Sequence, residues 1–145
     1  MVEKERIQLR GFHNTYGADG RPDGFEFCVR TGYYKGLWLS QFRTGPVTVD
    51  GEVFAKDQLV WNFGTIDYTA DEMYDADVYW QVNTVATVRI RKAGGLSQGY
   101  HDVGIQFGWV CNYNSEPEKE FDGSGLGNAA VMFGGGAQRR MLLVR

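Results

Sequence analysis

Histidine and cysteine are scarce in this sequence, and their spacing argues against a self-contained metal or redox site. The 145 residues include two histidines, His13 and His101, and two cysteines, Cys28 and Cys111. The cysteines lack CxxC spacing, and a structural zinc site needs four soft ligands in a recognisable pattern. We therefore expect free thiols and no metal bound by this chain. A Cys–His catalytic pair stays open in principle, although nothing in the sequence brings one together.

Long apolar runs and basic clusters are also missing. The first residues, MVEKERIQLR, are charged, and no later segment is apolar for long enough to span a bilayer. The sequence therefore predicts a cytoplasmic protein with no signal peptide and no membrane contact. The formal net charge is −3 with both signs scattered along the chain, and no basic block or RNA-binding aromatic signature suggests a nucleic-acid partner.

Motifs for nucleotide, calcium and serine-hydrolase chemistry are not supported by their context. GSGLGN resembles a phosphate-binding loop, but it follows an acidic stretch and opens no helix. DGRPDG lacks the late bidentate acid of a calcium loop and is more typical of a turn. No Gly-x-Ser-x-Gly elbow is present. The sequence therefore contains no complete catalytic constellation of these kinds.

Short segments of alternating apolar and polar residues, separated by glycine-rich turns, make up most of the chain. There are twenty glycines, and aromatic residues account for 14%. That composition, with turn signals roughly every ten residues, favours strands over helices. The predicted strands lie in ERIQLRGF, FEFCVRT, YYKGLWLS, the hairpin PVTVDGEVF, QLVWNF, DVYWQV, ATVRIRK, VGIQFGWV and RRMLLVR. We predict an all-β fold in one domain, residues 1–145, built as an antiparallel β-sandwich, with a partly closed barrel as the alternative.

One short helical turn is predicted in TADEM. Thr69 and Glu72 have the spacing of a capping box, so the turn should follow Thr69 and end near Tyr74. Acidic residues cluster around this turn: Asp67, Asp71, Glu72, Asp75 and Asp77. They could act as paired acid and base groups, or they could form a solvated helix end, where negative charge is favoured near the N-terminus. We favour the second interpretation.

His101 lies at the start of a predicted strand, in GGLSQGYHDVGIQF. Val103, Ile105, Phe107 and Trp109 share its parity and alternate with polar residues, which is typical of a half-buried strand. We therefore expect His101 at the rim of the core, bonded to a loop carbonyl. The alternative, a catalytic or metal-ligating histidine, needs partners from elsewhere in the chain or from another subunit.

The segment YYKGLWLS contains candidates for an exposed aromatic surface. Tyr33 and Tyr34 are consecutive, so in a strand they would point to opposite faces and one would be exposed or at an interface. Gly36 predicts a bulge or a close backbone approach. Together with Trp38, these tyrosines are candidates for substrate binding or for a subunit interface, and ordinary packing of an edge strand is the alternative.

Residues 111–138 form a long glycine-rich segment for which no regular element is predicted. Charged residues come first and small residues follow, with Val131, Met132 and Phe133 among them. Apolar side chains of this size are poorly suited to water, which favours contact of this segment with a partner. Simple mobility of the segment is the alternative. Met132 and Phe133 join His101 and the aromatic segment as candidates for substrate binding or an interface.

Four segments, GFEFCVRTGYYKGLWLS, VTVDGE, TADEM and GGLSQGYHDV, occur in the same order and spacing as in a known family. They resemble the small β subunits of bacterial C-glycoside deglycosidases. The resemblance covers roughly residues 5–110, and the order of the segments is more specific than any one of them. It does not extend to residues 111–138.

The resemblance implies a β-sandwich subunit of a hetero-oligomeric carbon–carbon lyase. Its large α partner would be similar to a sugar-isomerase-type TIM barrel and would carry a divalent metal, with manganese the expected ion. The complex would take a 3-oxo-C-glycoside and cleave the C–C bond between the oxidised sugar and an aromatic, flavonoid-type aglycone by elimination. The acid and base residues are expected on the partner, so no catalytic residue is assigned to this chain.

A stand-alone carbohydrate-binding module is the competing function from a different class. Tyr33, Tyr34 and Trp38 would then form a stacking platform for sugar rings. The absence of a secretion signal argues against this alternative, because many such modules are extracellular. An independent small hydrolase is the third and least favoured hypothesis.

Overall fold

The computed structural model describes residues 2–110 and 132–144, together with their side chains except those of residues 132–134. Eleven strands are found within these residues. They are β1 (His13–Tyr16), β2 (Pro22–Val29), β3 (Leu37–Trp38), β4 (Phe42–Val49), β5 (Glu52–Phe54), β6 (Leu59–Asn62), β7 (Asp67–Tyr68), β8 (Tyr79–Trp80), β9 (Ala86–Arg91), β10 (Gly99–Val110) and β11 (Met132–Leu143). The helical segments are α1 (Ala70–Tyr74) and two single 3-10 turns, Leu39–Gln41 and Lys56–Gln58.

The strands pair in an antiparallel manner in three open sheets. A five-stranded sheet has the order β1-β2-β9-β6-β7, and a four-stranded sheet has the order β11-β10-β4-β5. The third sheet is the short pair β3-β8. The predicted all-β sandwich is confirmed. Within the described residues, no sheet closes into a barrel, which was the alternative.

The two large sheets enclose one aromatic-rich core. Phe42 of β4 contacts Trp61 of the opposite sheet with ring centres 5.1 Å apart, and Trp61 lies 6.0 Å from Phe107 of β10. The apolar residues that alternate with polar ones in these strands are buried: Phe25, Phe27, Val29, Leu59, Trp61, Ala86, Val88, Ile90, Val103, Ile105, Phe107 and Trp109. The period of two in the sequence therefore identified the core-facing side of β2, β6, β9 and β10.

Two local predictions are confirmed by backbone geometry. Asp50 and Gly51 both have positive φ, 51° and 88°, and join β4 to β5 in the tight hairpin that an Asp-Gly pair favours. Thr69 accepts a hydrogen bond from the Glu72 backbone N–H at 3.3 Å, and the Glu72 carboxylate accepts one from the Thr69 N–H at 3.1 Å. This capping box starts α1, which ends at Tyr74 as predicted.

The predicted first strand, ERIQLRGF, is wrong. Ile7 makes a single bridge to Val29, and regular pairing begins later, at β1. The cause is side-chain competition for the backbone: the Glu3 carboxylate accepts from the Leu9 N–H, and the Gln8 amide bonds to backbone groups of Glu3 and Glu5. The prediction from DVYWQV is also too long, because its pairing is limited to β8.

The predicted loop over residues 111–138 is wrong for residues 132–138. Residues 132–138 belong to β11, a twelve-residue strand that pairs with β10 from Val110↔Met132 to Gly99↔Leu143. Glycine has no side chain to reveal a period of two, so the run GGGA concealed the strand. Residues 111–131 lie outside the described residues. Among the residues that are described, no helix has the length and apolar character needed to cross a membrane.

Candidate functional site

His101 lies where β10 begins and is almost entirely buried, with 6% of its surface exposed. Its Nδ1 lies 2.6 Å from Asp50 Oδ2, and its Nε2 lies 2.6 Å from the carbonyl oxygen of Ser97. The ring of Phe12 packs against it edge-on, with centres 6.2 Å apart. The predicted rim position and loop-carbonyl bond are confirmed, and both ring nitrogens are engaged.

Electrostatics favour the charged form of His101. Burial opposes the charge, but the Ser97 carbonyl and then the Asp50 carboxylate stabilise it, so the pKa of His101 is raised above its ordinary value. The pKa of Asp50 is lowered, first by a hydrogen bond from the Asp102 backbone N–H and then by His101. The pair therefore ties the β4–β5 turn to β10 and the preceding loop.

His13, the second histidine, also contacts a carboxylate. Its Nε2 lies 2.7 Å from Glu26 Oε1, and Glu26 bonds Arg89, which in turn reaches Asp67 at 3.2 Å. This chain of charges crosses the outer face of the five-stranded sheet. The hydrogen bond from Asn62 and the charge of Arg89 lower the pKa of Asp67. Asp67 and Glu72 of the acidic cluster thus have structural partners and do not face each other as an acid and base pair.

Tyr33 and Tyr34 form an aromatic cluster with Trp109 near the end of β10. The ring centre of Tyr33 lies 5.2 Å from that of Trp109 and 4.5 Å from that of Tyr34. Tyr33 is partly buried against the core, whereas Tyr34 is 77% exposed and lies 5.6 Å from the ammonium of Lys35. We call Tyr33, Tyr34 and Trp109 the aromatic cluster below.

The structure corrects the basis of the Tyr33–Tyr34 prediction. One tyrosine is exposed, as expected, but the two rings touch and do not lie on opposite faces. The reason is that residues 33–35 form a bend and not a strand, so the alternation of side chains does not apply. Pairing in YYKGLWLS begins only at β3.

Trp38 lies on the small β3-β8 sheet and packs against Tyr79. The two rings meet edge-on with centres 5.1 Å apart, and the residues are backbone partners. Trp38 is 38% exposed, so one part of its indole faces solvent. A Cβ at Gly36 would collide with the Tyr79 ring and the Trp80 carbonyl, which confirms the close backbone approach predicted there.

The six sequence candidates do not meet in one place. Phe133 pairs in register with Trp109, and Met132 with Val110, at the end of β10 where the aromatic cluster lies. His101 is eight residues away on the same strand, which corresponds to about 26 Å of extended chain. The side chains of Met132 and Phe133 lie outside the described part of the structure, so their proposed role stays a prediction.

Sequence reasoning missed Arg6 and the partner of His101. Arg6 lies over the rings of Phe107 and Trp109, with its guanidinium carbon 5.3 and 5.5 Å from their centres. Nothing in ERIQLRGF signals this, because the contact joins residues about a hundred positions apart. Asp50 was identified as a turn residue, but its side-chain bond to His101 depends on the packing of β4 beside β10.

Concave regions of the surface also lie outside these candidates. A groove of about 440 Å³ crosses the outer face of β4, β10 and β11, lined by Pro46, Thr48, Gly104, Ile105, Gln106, Gly136, Ala137 and Gln138. A smaller one of about 270 Å³ includes the free thiol of Cys28. Burial raises the pKa of that thiol, partly offset by a contact with Thr87, so Cys28 is not an activated nucleophile.

Among the described residues, no group of three or more histidine, cysteine, aspartate or glutamate side chains has a metal-binding arrangement. The structure therefore defines an antiparallel β-sandwich whose histidines contact carboxylates and whose exposed aromatic residues include Tyr34 and Trp38, near short connecting segments. That is the class of protein that the fold and side chains establish.

Comparison with known proteins identifies the family. The family described as C-glycoside deglycosidase beta subunit matches residues 2–113. A protein of Eubacterium cellulosolvens named C-glycoside deglycosidase beta subunit is 37% identical over 127 residues, which cover 82% of this chain and 86% of that relative. The chain belongs to the family of C-glycoside deglycosidase beta subunits, and the predicted resemblance is confirmed.

Proposed function

We propose that this chain is the β subunit of a heteromeric C-glycoside deglycosidase that acts on 3-oxo-C-glycosides with a flavonoid-type aglycone. The observation that carries the proposal is the 37% identity to a named β subunit over 82% of the chain. The sandwich would work beside a large TIM-barrel α subunit in the cytoplasm. Its contribution would be to complete or support a site that the larger subunit carries.

The proposed reaction is an elimination. A ketone at the sugar 3-position acidifies the C–H at the 2-position, so that a base can remove this proton and form an enolate. The enolate electrons then form the C1–C2 double bond as the C1–aglycone bond breaks, and its electron pair goes to the aglycone carbon, which takes up a proton. The products are an unsaturated 3-oxo sugar and the free aglycone, with no net oxidation.

We assign the divalent metal, expected to be manganese, and the acid and base residues to the large subunit. Both histidines of this chain are engaged with carboxylates, His13 with Glu26 and His101 with Asp50. The raised pKa of Cys28 keeps its thiol protonated at neutral pH. These observations favour a non-catalytic role for this chain beside the large subunit.

Activity measurements with separate and mixed subunits test the proposal. The purified chain should not cleave a 3-oxo-C-glycoside, and addition of the large subunit should restore cleavage. The unoxidised C-glycoside, which has a hydroxyl at the 3-position, is the matched control and should not react. Turnover by the isolated, metal-stripped chain, or equal activity of the large subunit with and without it, would contradict the proposal.

Isotopic labelling tests the elimination. A substrate carrying deuterium at the sugar 2-position should give a sugar product without the label and react more slowly, because that C–H bond breaks. A hydrolytic substitution at C1 would retain the deuterium. Loss of label without enzyme has to be measured in parallel, since the adjacent ketone promotes exchange.

Glycan binding by the isolated chain is the second candidate function. The exposed ring of Tyr34 and the groove beside Gln106 and Gln138 are the observations that favour it. Exposed aromatic rings and amide side chains are groups that bind sugars in general. Binding of free glycans by the chain without its partner, abolished by Tyr34→Ala, would favour this function over the first.

A further inference from the structure

Arg6 is held in a fixed position by the backbone around it. Its carbonyl accepts a hydrogen bond from the Arg30 N–H at 2.9 Å, next to the bridge between Ile7 and Val29. Its guanidinium lies over the rings of Phe107 and Trp109. On another side the backbone of Gly32 approaches so closely that a Cβ there would collide with Arg6 Nε. The guanidinium is therefore packed against rings and backbone of its own chain.

The charge of Arg6 has no counter-ion among the described residues. Arg89, Arg139 and Arg140 each have a carboxylate within 3.7 Å, and Arg30 bonds the carbonyl of Lys4. Among the described residues, the guanidinium of the half-buried Arg6 lies against the rings of Phe107 and Trp109 and close to the Gly32 backbone. Burial and the neighbouring charge of Arg30 both lower the pKa of Arg6, which reflects a cation held without an anion. Its forked N–H groups are thus available to an acceptor.

The indole N–H of Trp109, one of the two rings that Arg6 lies over, also lacks a hydrogen-bond acceptor. Trp109 is 2% exposed, and its indole Nε1 is buried without a hydrogen-bond partner in the part of the chain that the structure describes. Buried donors without partners are uncommon in folded proteins and disfavour the folded chain. Two adjacent side chains, a guanidinium and an indole, thus have hydrogen-bond donors without acceptors among the described residues. This indicates a binding site whose acceptor comes from outside those residues.

The aromatic cluster links this place to the surface. Tyr33 lies between Trp109 and the exposed ring of Tyr34, and the Lys35 ammonium flanks Tyr34. We propose that Arg6 is the docking point for a carboxylate side chain of the large subunit, with Tyr34 packing beside it as an aromatic anchor. This inference rests on the proposed function, because it requires a partner subunit. An aspartate or glutamate matches the planar fork of arginine, and nearby rings exclude water from the pair.

Binding of the chain to the purified large subunit, measured at low and high salt, tests this inference. Arg6→Gln should weaken assembly by roughly thirtyfold or more and reduce its dependence on salt, since removing one member of a desolvated charge pair has effects of that size. Arg6→Lys keeps the charge but loses the fork, so it should also bind more weakly than the parent. Arg21→Gln, in the exposed β1–β2 turn, is the matched control and should bind like the parent.

The outcomes separate the inference from the function on which it rests. If the parent chain binds and both Arg6 variants bind as tightly at either salt concentration, Arg6 is not the docking point. The inference also fails if Arg6→Gln destabilises the isolated chain in a salt-dependent manner while assembly is unchanged, because the anion would then lie within this chain. If Arg6→Gln does not fold, unchanged affinity of Arg6→Lys still contradicts it. Failure of the parent to assemble would contradict the proposed function itself.

Discussion

At the scale of single residues, His101 shows how geometry fixes a charge. Both ring nitrogens face oxygen atoms at 2.6 Å, one from Asp50 and one from Ser97. A neutral imidazole has one N–H, so only the imidazolium can donate to both acceptors. The histidine that suggests chemistry in the sequence is therefore used as a buried cation that joins a turn to a strand.

Titration of His101 by NMR tests this assignment. We expect its pKa to lie above the ordinary value of about 6.5, and to fall in Asp50→Asn. Asparagine tolerates the positive φ at position 50, so the turn should persist while the charge is lost. Asp102→Asn, on the exposed face of β10, is the control and should leave the titration nearly unchanged. A pKa at or below the ordinary value in the parent would contradict the assignment.

The same ion pair predicts how stability depends on pH. The pKa of His101 is raised in the folded chain, so its contribution is complete below about pH 6.5 and is lost as pH rises through the folded value. The pKa of Asp50 is lowered, so its contribution is present above about pH 3.9 and is lost as pH falls through the folded value. The free energy of unfolding of the parent relative to Asp50→Asn should therefore be largest between these limits, measured by urea denaturation. A difference independent of pH would exclude this linkage.

Gly36 permits a close contact that any side chain would block. A Cβ at this position would overlap the Tyr79 ring and the Trp80 carbonyl, so Gly36→Ala should separate β3 from β8. We expect a loss of about 1–3 kcal/mol in the free energy of unfolding, which is typical of overpacking. Gly136→Ala is the control, because a Cβ there meets only ordinary contacts at 3.8 Å. Equal stability of the two variants would show that the β3–β8 contact is dispensable.

At the scale of elements, α1 depends on its cap because it is too short to be stable alone. The helix has five residues, and Met73, which is 1% exposed, attaches it to the core. Helices of this length do not persist without tertiary contacts. The capping box and one buried methionine therefore hold the acidic segment in place.

Removing the cap should have a measurable and local cost. Thr69→Ala should lower the free energy of unfolding by about 1 kcal/mol, because the Glu72 N–H loses its acceptor. Thr65→Ala, in the exposed bend before β7, provides the matched control with little expected change. Both can be measured by urea denaturation, and an identical midpoint for the two variants would show that the cap contributes nothing.

At the scale of the whole molecule, exposed aromatic residues are the expected contacts for a larger subunit. Tyr34 is 77% exposed and Trp38 38%, and they lie on the bend and the small sheet that connect β2 to β4. Tyrosine and tryptophan are enriched among interface residues that dominate binding energy. The chain thus presents aromatic surface that its own core does not use.

We predict that Tyr34→Ala or Trp38→Ala weakens assembly with the large subunit by roughly thirtyfold or more, which corresponds to about 2 kcal/mol. Thermal unfolding of the isolated variants must accompany the affinity measurement. Tyr34→Ala should leave stability nearly unchanged, whereas Trp38→Ala should reduce it because Trp38 packs on Tyr79. Tyr16→Ala, at an exposed tyrosine of β1, is the control. Parent-like affinity of both variants would mean that this surface is not the interface.

The sequence by itself determined the features that depend on neighbouring residues. The period of two located the inward faces of β2, β6, β9 and β10, Asp-Gly fixed the β4–β5 hairpin, and Thr69 with Glu72 fixed the start of α1. Each is a local preference of backbone or side chain that long-range contacts did not overrule. The order of four such segments also predicted the family.

Only the tertiary structure decided which residues meet across the chain. Arg6 lies over Trp109, Asp50 bonds His101, and Tyr79 covers Gly36, although the sequence carries no signal for any of these pairs. The glycine run of β11 had no side chains to show its period, so its strand depends on pairing with β10. These contacts arise because two sheets pack face to face, and that packing sets distances between residues far apart in the chain.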